Sequence, residues 1–226
     1  EAEALRRSDE LKTALLRSIS HDLRTPLTSI IAGGAALGSP STTPEERAEL
    51  SAAVVDEGER LSRLVANLLD MSRLEAGKAE PHREAVDLAE VLEAARAAIG
   101  RPQSVRIAAG PELPLVEADA AQLERAFANL LENAVRHGGG RPVTVSSRLV
   151  GDKIAVRVVD QGPGIPENER QLIFEPFRHG SGGGAGLGLA IARGFVEANG
   201  GQIEVDSVLG QGSSFVVTMP IRGSEA

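Results

Sequence analysis

Gly38-Ser39-Pro40-Ser41-Thr42-Thr43-Pro44 is the stretch on which the first half of the fold turns. Its glycine, prolines and hydroxyl side chains interrupt a helical pattern, because none of them favours a helix interior. Upstream, Ile19, Leu23, Leu27 and Ile30 step by four, four and three, which makes one apolar stripe on a helix from about Leu5 to Leu37. Downstream, Thr43 suits an N-cap, Pro44 the first helical position, and Glu45 and Glu46 complement the helix dipole. A second helix then runs to about Glu75, with Leu50, Val54, Leu61, Leu64, Val65, Leu68 and Met71 on its apolar side, and Gly77 and Pro81 stop it. Two long amphipathic helices joined by a short loop predict an antiparallel hairpin. Its stripes are too long to bury on themselves, so the expectation is a homodimer in which two hairpins form a four-helix bundle. A monomeric hairpin packed on the rest of the chain is the alternative.

Composition changes near residue 80, where β-branched runs begin to alternate with helical stretches and glycine turns. Residues 87–99 read as a helix, 105–108 and 115–117 as short strands, and Asp119 as the cap of a helix that reaches about His137. Residues 143–150 and 154–159 form a hairpin around Gly151-Asp152. Residues 187–198 read as a helix closed by Asn199-Gly200-Gly201, and 202–208 and 213–219 as a last hairpin, with Ile203, Val205, Phe215 and Val217 alternating. The expected fold class is therefore α+β with two domains: a helical hairpin over 1–76, a linker over 77–86, and an α/β domain over 87–226.

Composition narrows the function. The 226 residues carry 32 acidic and 24 basic side chains, a formal net charge of −8. That balance argues against a nucleic-acid partner, which calls for a basic footprint. Five Phe, no Tyr and no Trp leave little from which to build a base-stacking platform. Without cysteine, disulfides, thiolate zinc sites and cysteine nucleophiles are excluded. No run reaches the roughly 18 apolar residues that span a bilayer. The chain opens at Glu1 rather than at a methionine, and reads as a piece of something longer.

Four patches can carry chemistry. In Ser20-His21-Asp22-Leu23-Arg24-Thr25-Pro26-Leu27, His21 lies two residues from both Ile19 and Leu23, about 200° around the helix from the stripe. It is expected to face solvent, with Asp22 orienting one ring nitrogen and leaving the other as a nucleophile. Thr25 sits one turn on, and Pro26 removes the hydrogen bond to the Asp22 carbonyl, which predicts a kink. A surface histidine beside a tolerated proline is the plainer reading. On the helix before His137, Asn129 and Asn133 stand four apart and Arg136 and His137 follow. Amides so spaced suit a hard cation or phosphate oxygen, although taken alone these residues read more readily as a solvated asparagine face. In Asp160-Gln161-Gly162-Pro163-Gly164-Ile165, a strand ends in a carboxylate that can accept from an exocyclic amine, and glycines let backbone approach a ring. An ordinary Asp-containing turn is the competing reading. Finally, Gly180-Ser181-Gly182-Gly183-Gly184-Ala185-Gly186-Leu187-Gly188-Leu189 runs a glycine-rich loop into a helix N-terminus, which suits a polyphosphate, or else is a flexible lid. Phe174-Glu175-Pro176-Phe177 would pin its base with two aromatics.

In this order the patches resemble the transmitter region of a bacterial sensor histidine kinase. Ser20 to Leu27 is similar to the H box, Asn129 to Gly138 to the N box, and Asp160 to Gly164 to the first glycine box. Phe174 to Phe177 is similar to the F box and Gly184 to Gly188 to the second glycine box. Residues 15–27 and 131–135 also resemble Kdp-type potassium-responsive kinases. The resemblance implies a Bergerat-type α/β sandwich, as in gyrase, the Hsp90 chaperones and MutL, after a dimerisation and phosphotransfer hairpin. It implies ATP and Mg²⁺ as cofactors, a response regulator receiver domain as partner, and a cytoplasmic core of a sensor attached to the inner membrane through segments absent here. By the same resemblance His21 is the phosphoacceptor, Asp22 assists its deprotonation, and Thr25 positions water for dephosphorylating the regulator. Asn133 holds Mg²⁺, Asn129 places the γ-phosphate or its nucleophile, and Asp160 reads adenine. Arg136, His137, Gly162, Gly164, Ile165, Phe177, Arg178, Gly184, Gly186, Leu187, Gly188 and Leu189 line the nucleotide.

The chain departs from the family pattern in two places within this core. Arg136-His137 stand where Lys-Tyr is common, which keeps the charge and loses the phenol. The lid between Phe177 and Gly186 is short, with Arg178 its one fixed cation. A Bergerat ATPase doing mechanical work would explain the second domain, but not the H box, and its usual glutamate base is replaced by Asn129. A degenerate kinase acting as a dimeric scaffold is the non-enzymatic alternative, and a kinase that works mainly as a phosphatase is a third.

Overall fold

The computed structural model describes residues 20, 22–108, 112–178 and 186–223. The chain falls into two compact units that divide between Leu69 and Asp70.

The first unit is a pair of helices. Residues 22–37 form α1, which continues through Pro26, and Pro44–Glu75 form α2. The turn between them closes as the sequence predicts and gains a second bond. Thr43 Oγ1 accepts from the Glu46 N–H at 3.2 Å, while Glu46 Oε2 accepts from the Thr43 N–H at 2.9 Å. This reciprocal capping box is worth about 1 kcal/mol to the start of α2. Thr42 Oγ1 and Arg47 Nη1 donate to the last carbonyls of α1, at Ala36 and Leu37. Gly33 lets the helices approach closely, since a Cβ there would stand 2.6 Å from Val54 Cγ2. At its far end α2 stops at Gly77, φ +64°, with Lys78 N–H bonded to Arg73 O and Gly77 N–H to Leu74 O. No residue of α2 is buried in the single chain. Leu27, Ile31, Val55 and Val65 remain exposed.

The second unit is a two-layer α/β sandwich. Its elements are β1 (Glu84–Val86), α3 (Leu88–Ala98), β2 (Val105–Ile107), β3 (Val116–Ala118), α4 (Ala120–His137), β4 (Val143–Val150), β5 (Lys153–Val159), α5 (Gly188–Ala198), β6 (Gln202–Val208) and β7 (Gly212–Pro220). The main sheet runs β2-β4-β5-β7-β6; β2 is parallel to β4 and the other pairs are antiparallel. The last hairpin has the predicted register, with Ile203 opposite Val217 and Val205 opposite Phe215. Helices α3, α4 and α5 pack together and bury Leu92, Leu123, Phe127, Leu130 and Ile191, while the sheet supplies Val145, Ile154, Val156, Phe215 and Met219.

Asp87 and Asp119 cap α3 and α4 through side-chain bonds to Ala89 N and Gln122 N. The stretch expected as a linker carries a strand that the sequence reading did not find. β1 pairs antiparallel with β3, and just before it His82 N–H donates to Asp119 Oδ2 at 2.9 Å. Gln122 Nε2 donates to Ala79 O, so the segment is fastened to the start of α4.

Candidate nucleotide site

The expected site residues of the second unit gather where β5, α4 and α5 end or begin. On α4, Leu123, Phe127, Leu130 and Ala134 turn wholly into the core. Asn129 lies beside them and is only 6 % exposed. Its Nδ2 has no hydrogen-bond partner. A solvated asparagine face is thereby overturned: a buried amide without a partner costs about 1–3 kcal/mol and calls for a ligand. Asn133, one turn on, is half-buried on the same side of the helix.

Gly188, the first residue of α5, abuts Asn129; a Cβ there would lie 3.4 Å from Asn129 Oδ1. The residue before it, Leu187, is buried and gives no side-chain cap. Among the described residues no N-cap side chain takes up the first N–H groups of α5, which suit an anion and stand beside the Asn129 amide. Leu189, in the first turn, is half-buried.

Asp160 follows the last residue of β5 and is 3 % exposed. Among the described residues its side chain accepts two hydrogen bonds, both on Oδ1, from Gly162 N at 2.8 Å and Ser213 N at 3.2 Å. Oδ2 is left to accept from a ligand. Gly162 has no room for a side chain, because a Cβ would strike the carbonyl of His137. Gly164, φ +76°, would strike the carbonyl of Val208. His137 ends α4 half-buried, and its pKa is lowered from 6.5 by burial first and by Arg136 second, against an opposing pull from Asp160. Arg136 is exposed.

Phe174 and Phe177, expected to pin the base of the glycine-rich loop, are themselves held by different means. Phe174 is buried and meets Phe215 edge-on at 6.3 Å, with the Arg193 guanidinium over the Phe174 ring at 5.7 Å. Phe177 works through its backbone: it adopts φ +63° and its N–H donates to Gly186 O at 2.9 Å. Gly186 has φ +64°, and a Cβ there would stand 2.5 Å from Arg178 O. Arg178 itself pairs with Glu175 at 3.2 Å in the open, a contact that is easily exchanged. Gly184 falls outside the described residues, as does His21; Asp22 is half-buried and Thr25 exposed on α1.

Sequence reading missed the contribution of the β6–β7 turn. Gly210 N–H donates to Pro163 O at 2.7 Å, Asp160 N–H to Ser213 O at 2.9 Å, and Ile165 N–H to Ser207 Oγ at 2.8 Å. Serines in a strand carry no signal for this. The glycines at 210 and 212 did, but they read as turn residues only.

Among the described residues no three His, Asp or Glu side chains converge. The donor set nevertheless fits Mg²⁺ with a nucleotide, since a buried amide and its neighbour one turn away add neutral ligands to phosphate oxygens and water.

A family model described as His Kinase A (phospho-acceptor) domain matches residues 11–77. A second, described as Histidine kinase-, DNA gyrase B-, and HSP90-like ATPase, matches residues 118–223. The chain belongs to the histidine kinase family. Among curated histidine kinases, the sensor protein KdpD of Mycobacterium tuberculosis is 37 % identical over 97 % of this chain and 27 % of its own length. The chain therefore spans about a quarter of that relative. The solved structure of the mycobacterial sensor histidine kinase MprB is 32 % identical with a TM-score of 0.56, covering 62 % of this chain and 98 % of its own. Full-length ShkA, solved in complex with AMPPNP, is 30 % identical with a TM-score of 0.67, covering 93 % of this chain and 46 % of its own. A helical hairpin followed by an α/β ATPase sandwich is thus the histidine kinase arrangement, and the likeness to Kdp-type kinases recurs among the relatives.

Proposed function

We propose that the chain is the transmitter core of a sensor: it moves the γ-phosphoryl group of ATP to His21, then to an aspartate on the receiver domain of a response regulator. The observation that carries the nucleotide half is the buried, unpartnered Nδ2 of Asn129 beside the N-terminus of α5, where Leu187 offers no side-chain cap. The phospho-acceptor match over residues 11–77 supports the other half.

In this reading Asp160 Oδ2 receives the exocyclic amine of adenine, and Gly162, Gly164 and Ile165 admit the ring. Asn133 would hold Mg²⁺, whose chemistry there would be charge neutralisation of the phosphates, and Asn129 would place the γ-phosphate or its nucleophile. Arg136 and Arg178 share the remaining charge, with the α5 N-terminus. A ring nitrogen of His21 attacks the γ-phosphorus in line; the N–P bond forms as the O–P bond to ADP breaks. Asp22 takes up the imidazole proton. The phosphoryl group next passes from nitrogen to a carboxylate oxygen of the regulator. Thr25, one turn beyond His21, orients water for the reverse task, hydrolysis of that acyl phosphate.

The open apolar residues of α1 and α2 support a homodimeric four-helix bundle built from two hairpins. We place the functional borders at 1–76 and 87–226, and the whole protein at the inner face of a membrane, attached by segments outside this sequence. Among the described residues no helix is long and apolar enough to cross one.

The test is incubation with Mg²⁺ and γ-labelled ATP beside a His21→Gln variant. The expected product is an acid-labile, alkali-stable label that the variant lacks. Label that persists in the variant would move the nucleophile elsewhere; ATP bound with no label in either protein would favour a scaffold.

A further inference from the structure

The second unit begins at Asp70, so the last turn of α2 belongs with the sandwich. Residues 70–83 touch both helices of the candidate nucleotide site. On α4, Arg125 Nε donates to Asp70 Oδ2 at 2.9 Å, and the Asp70 side chain is only 16 % exposed. Gln122 Nε2 donates to Ala79 O at 3.2 Å, and Asp119 Oδ2 accepts from the His82 N–H. On α5, Gly194 lies bare against Leu74, since a Cβ there would stand 2.8 Å from Leu74 Cδ1. Arg83 Nη2 donates at 3.4 Å to the carbonyl of Ala198, the last residue of that helix.

The same end also joins the two helices to each other. Asn199 is 1 % exposed; its Oδ1 accepts from the Asp119 N–H at 2.7 Å, and its Nδ2 donates to Gln122 Oε1 at 2.9 Å and to Phe195 O at 2.8 Å. Gln122 thus gives its acceptor to the α5 cap and a donor to the 70–83 segment. Asp119 gives one oxygen to the start of α4 and the other to that segment. Withdrawing the segment would strip partners from a part-buried amide and a part-buried carboxylate at the joint that sets the spacing of α4 and α5. The spacing matters further along, where Gly188 lies against Asn129. Gln122 and Arg125 stand about two turns and one turn before Asn129 on α4.

We propose that residues 70–83 form a strap that clamps α4 to α5, and that strap docking and nucleotide binding stabilise each other, with Asp70 and Gln122 as positioning residues. This rests on the reading of Asn129 and the α5 N-terminus as the phosphate end of the site. The coupling is reciprocal: the factor by which docking raises the affinity for nucleotide is the factor by which nucleotide favours docking. The stretch that leads from the hairpin into the sandwich then sets how tightly ATP is held.

Two measurements on the full chain test this: calorimetric binding of ADP, and hydrogen exchange over residues 78–86 with and without saturating ADP. ADP is expected to slow that exchange about fivefold or more. Asp70→Asn removes the ion pair; Gln122→Glu keeps the acceptor for Asn199 and loses the donor to Ala79. Each should weaken ADP binding by up to the same factor and shrink the slowing. Asp70→Glu, which keeps a carboxylate for Arg125, should retain both. If one variant does not fold, the other and the exchange of the unaltered chain carry the test. A strap with a structural role alone would lower the melting temperature of both variants and leave their ADP affinity as it was. That result, or exchange over 78–86 that ADP does not alter, would overturn the proposal and leave the nucleotide site standing. Failure of the unaltered chain to bind ADP would overturn both.

Discussion

The two helices α2 and α4 differ in a way that composition does not announce. α2 is 32 residues long and buries none of them in the single chain, whereas α4 is 18 residues long and buries eight. Both are amphipathic, and both start at well-formed caps. The difference is that α4 meets α3, α5 and a sheet within its own unit, whereas among the described residues of its unit α2 has the 22–37 helix as its neighbour. An apolar stripe states that a helix needs a partner and does not state where the partner comes from. The sandwich completes its core alone; the hairpin leaves Ile31 63 % and Val55 56 % exposed, the face on which the proposed second copy would pack.

The comparison breaks first where the sandwich is strongest. Phe127 is wholly buried, so Phe127→Ala should lose about 3–5 kcal/mol in denaturant melting, a large part of the roughly 5–15 kcal/mol that holds a domain. A loss below about 1 kcal/mol would mean that the sandwich core is not the closed unit described. In the hairpin the same chemistry should act on assembly instead. Ile31→Asp should leave monomer stability within about 0.5 kcal/mol while raising the dimer dissociation constant at least tenfold, about 1.4 kcal/mol, by sedimentation velocity. An unchanged dimer would remove this face from the interface. The smallest effect concerns pH. The pKa of His137 is lowered on folding, so between that lowered value and 6.5 the unfolded chain binds more protons than the folded one. Stability should therefore rise with pH through this window and fall on acidification. His137→Gln should flatten that slope in melting curves recorded between about pH 5.5 and 7.5; an unaltered slope would show that other groups set it.

Much of this was legible before any coordinates. The helix borders at Pro44, Glu75 and His137, both long hairpins and the inward set Leu123, Phe127, Leu130 and Ala134 follow from period, caps and turn residues, which are local. β1 was not legible, because three residues, Glu84-Ala85-Val86, are too few to show an alternation and their partner strand begins at Val116. In the candidate nucleotide site Asn129, Asp160 and the glycines announced themselves by type. What escaped was contact between segments far apart in sequence: the bond between Ile165 and Ser207, the approach of Gly164 to Val208, and the bare Nδ2 of Asn129. Phe177 in a left-handed conformation was equally hidden, because it is set by the bond to Gly186 rather than by its own preference.

That bond between Phe177 and Gly186 makes the intervening segment a cassette. With both ends pinned, inserting residues between Arg178 and Gly186 changes only the closure entropy of a loop already closed, about 0.6 kcal/mol for each doubling of length. Segments of other lengths grafted between these two residues should therefore leave the sandwich walls intact.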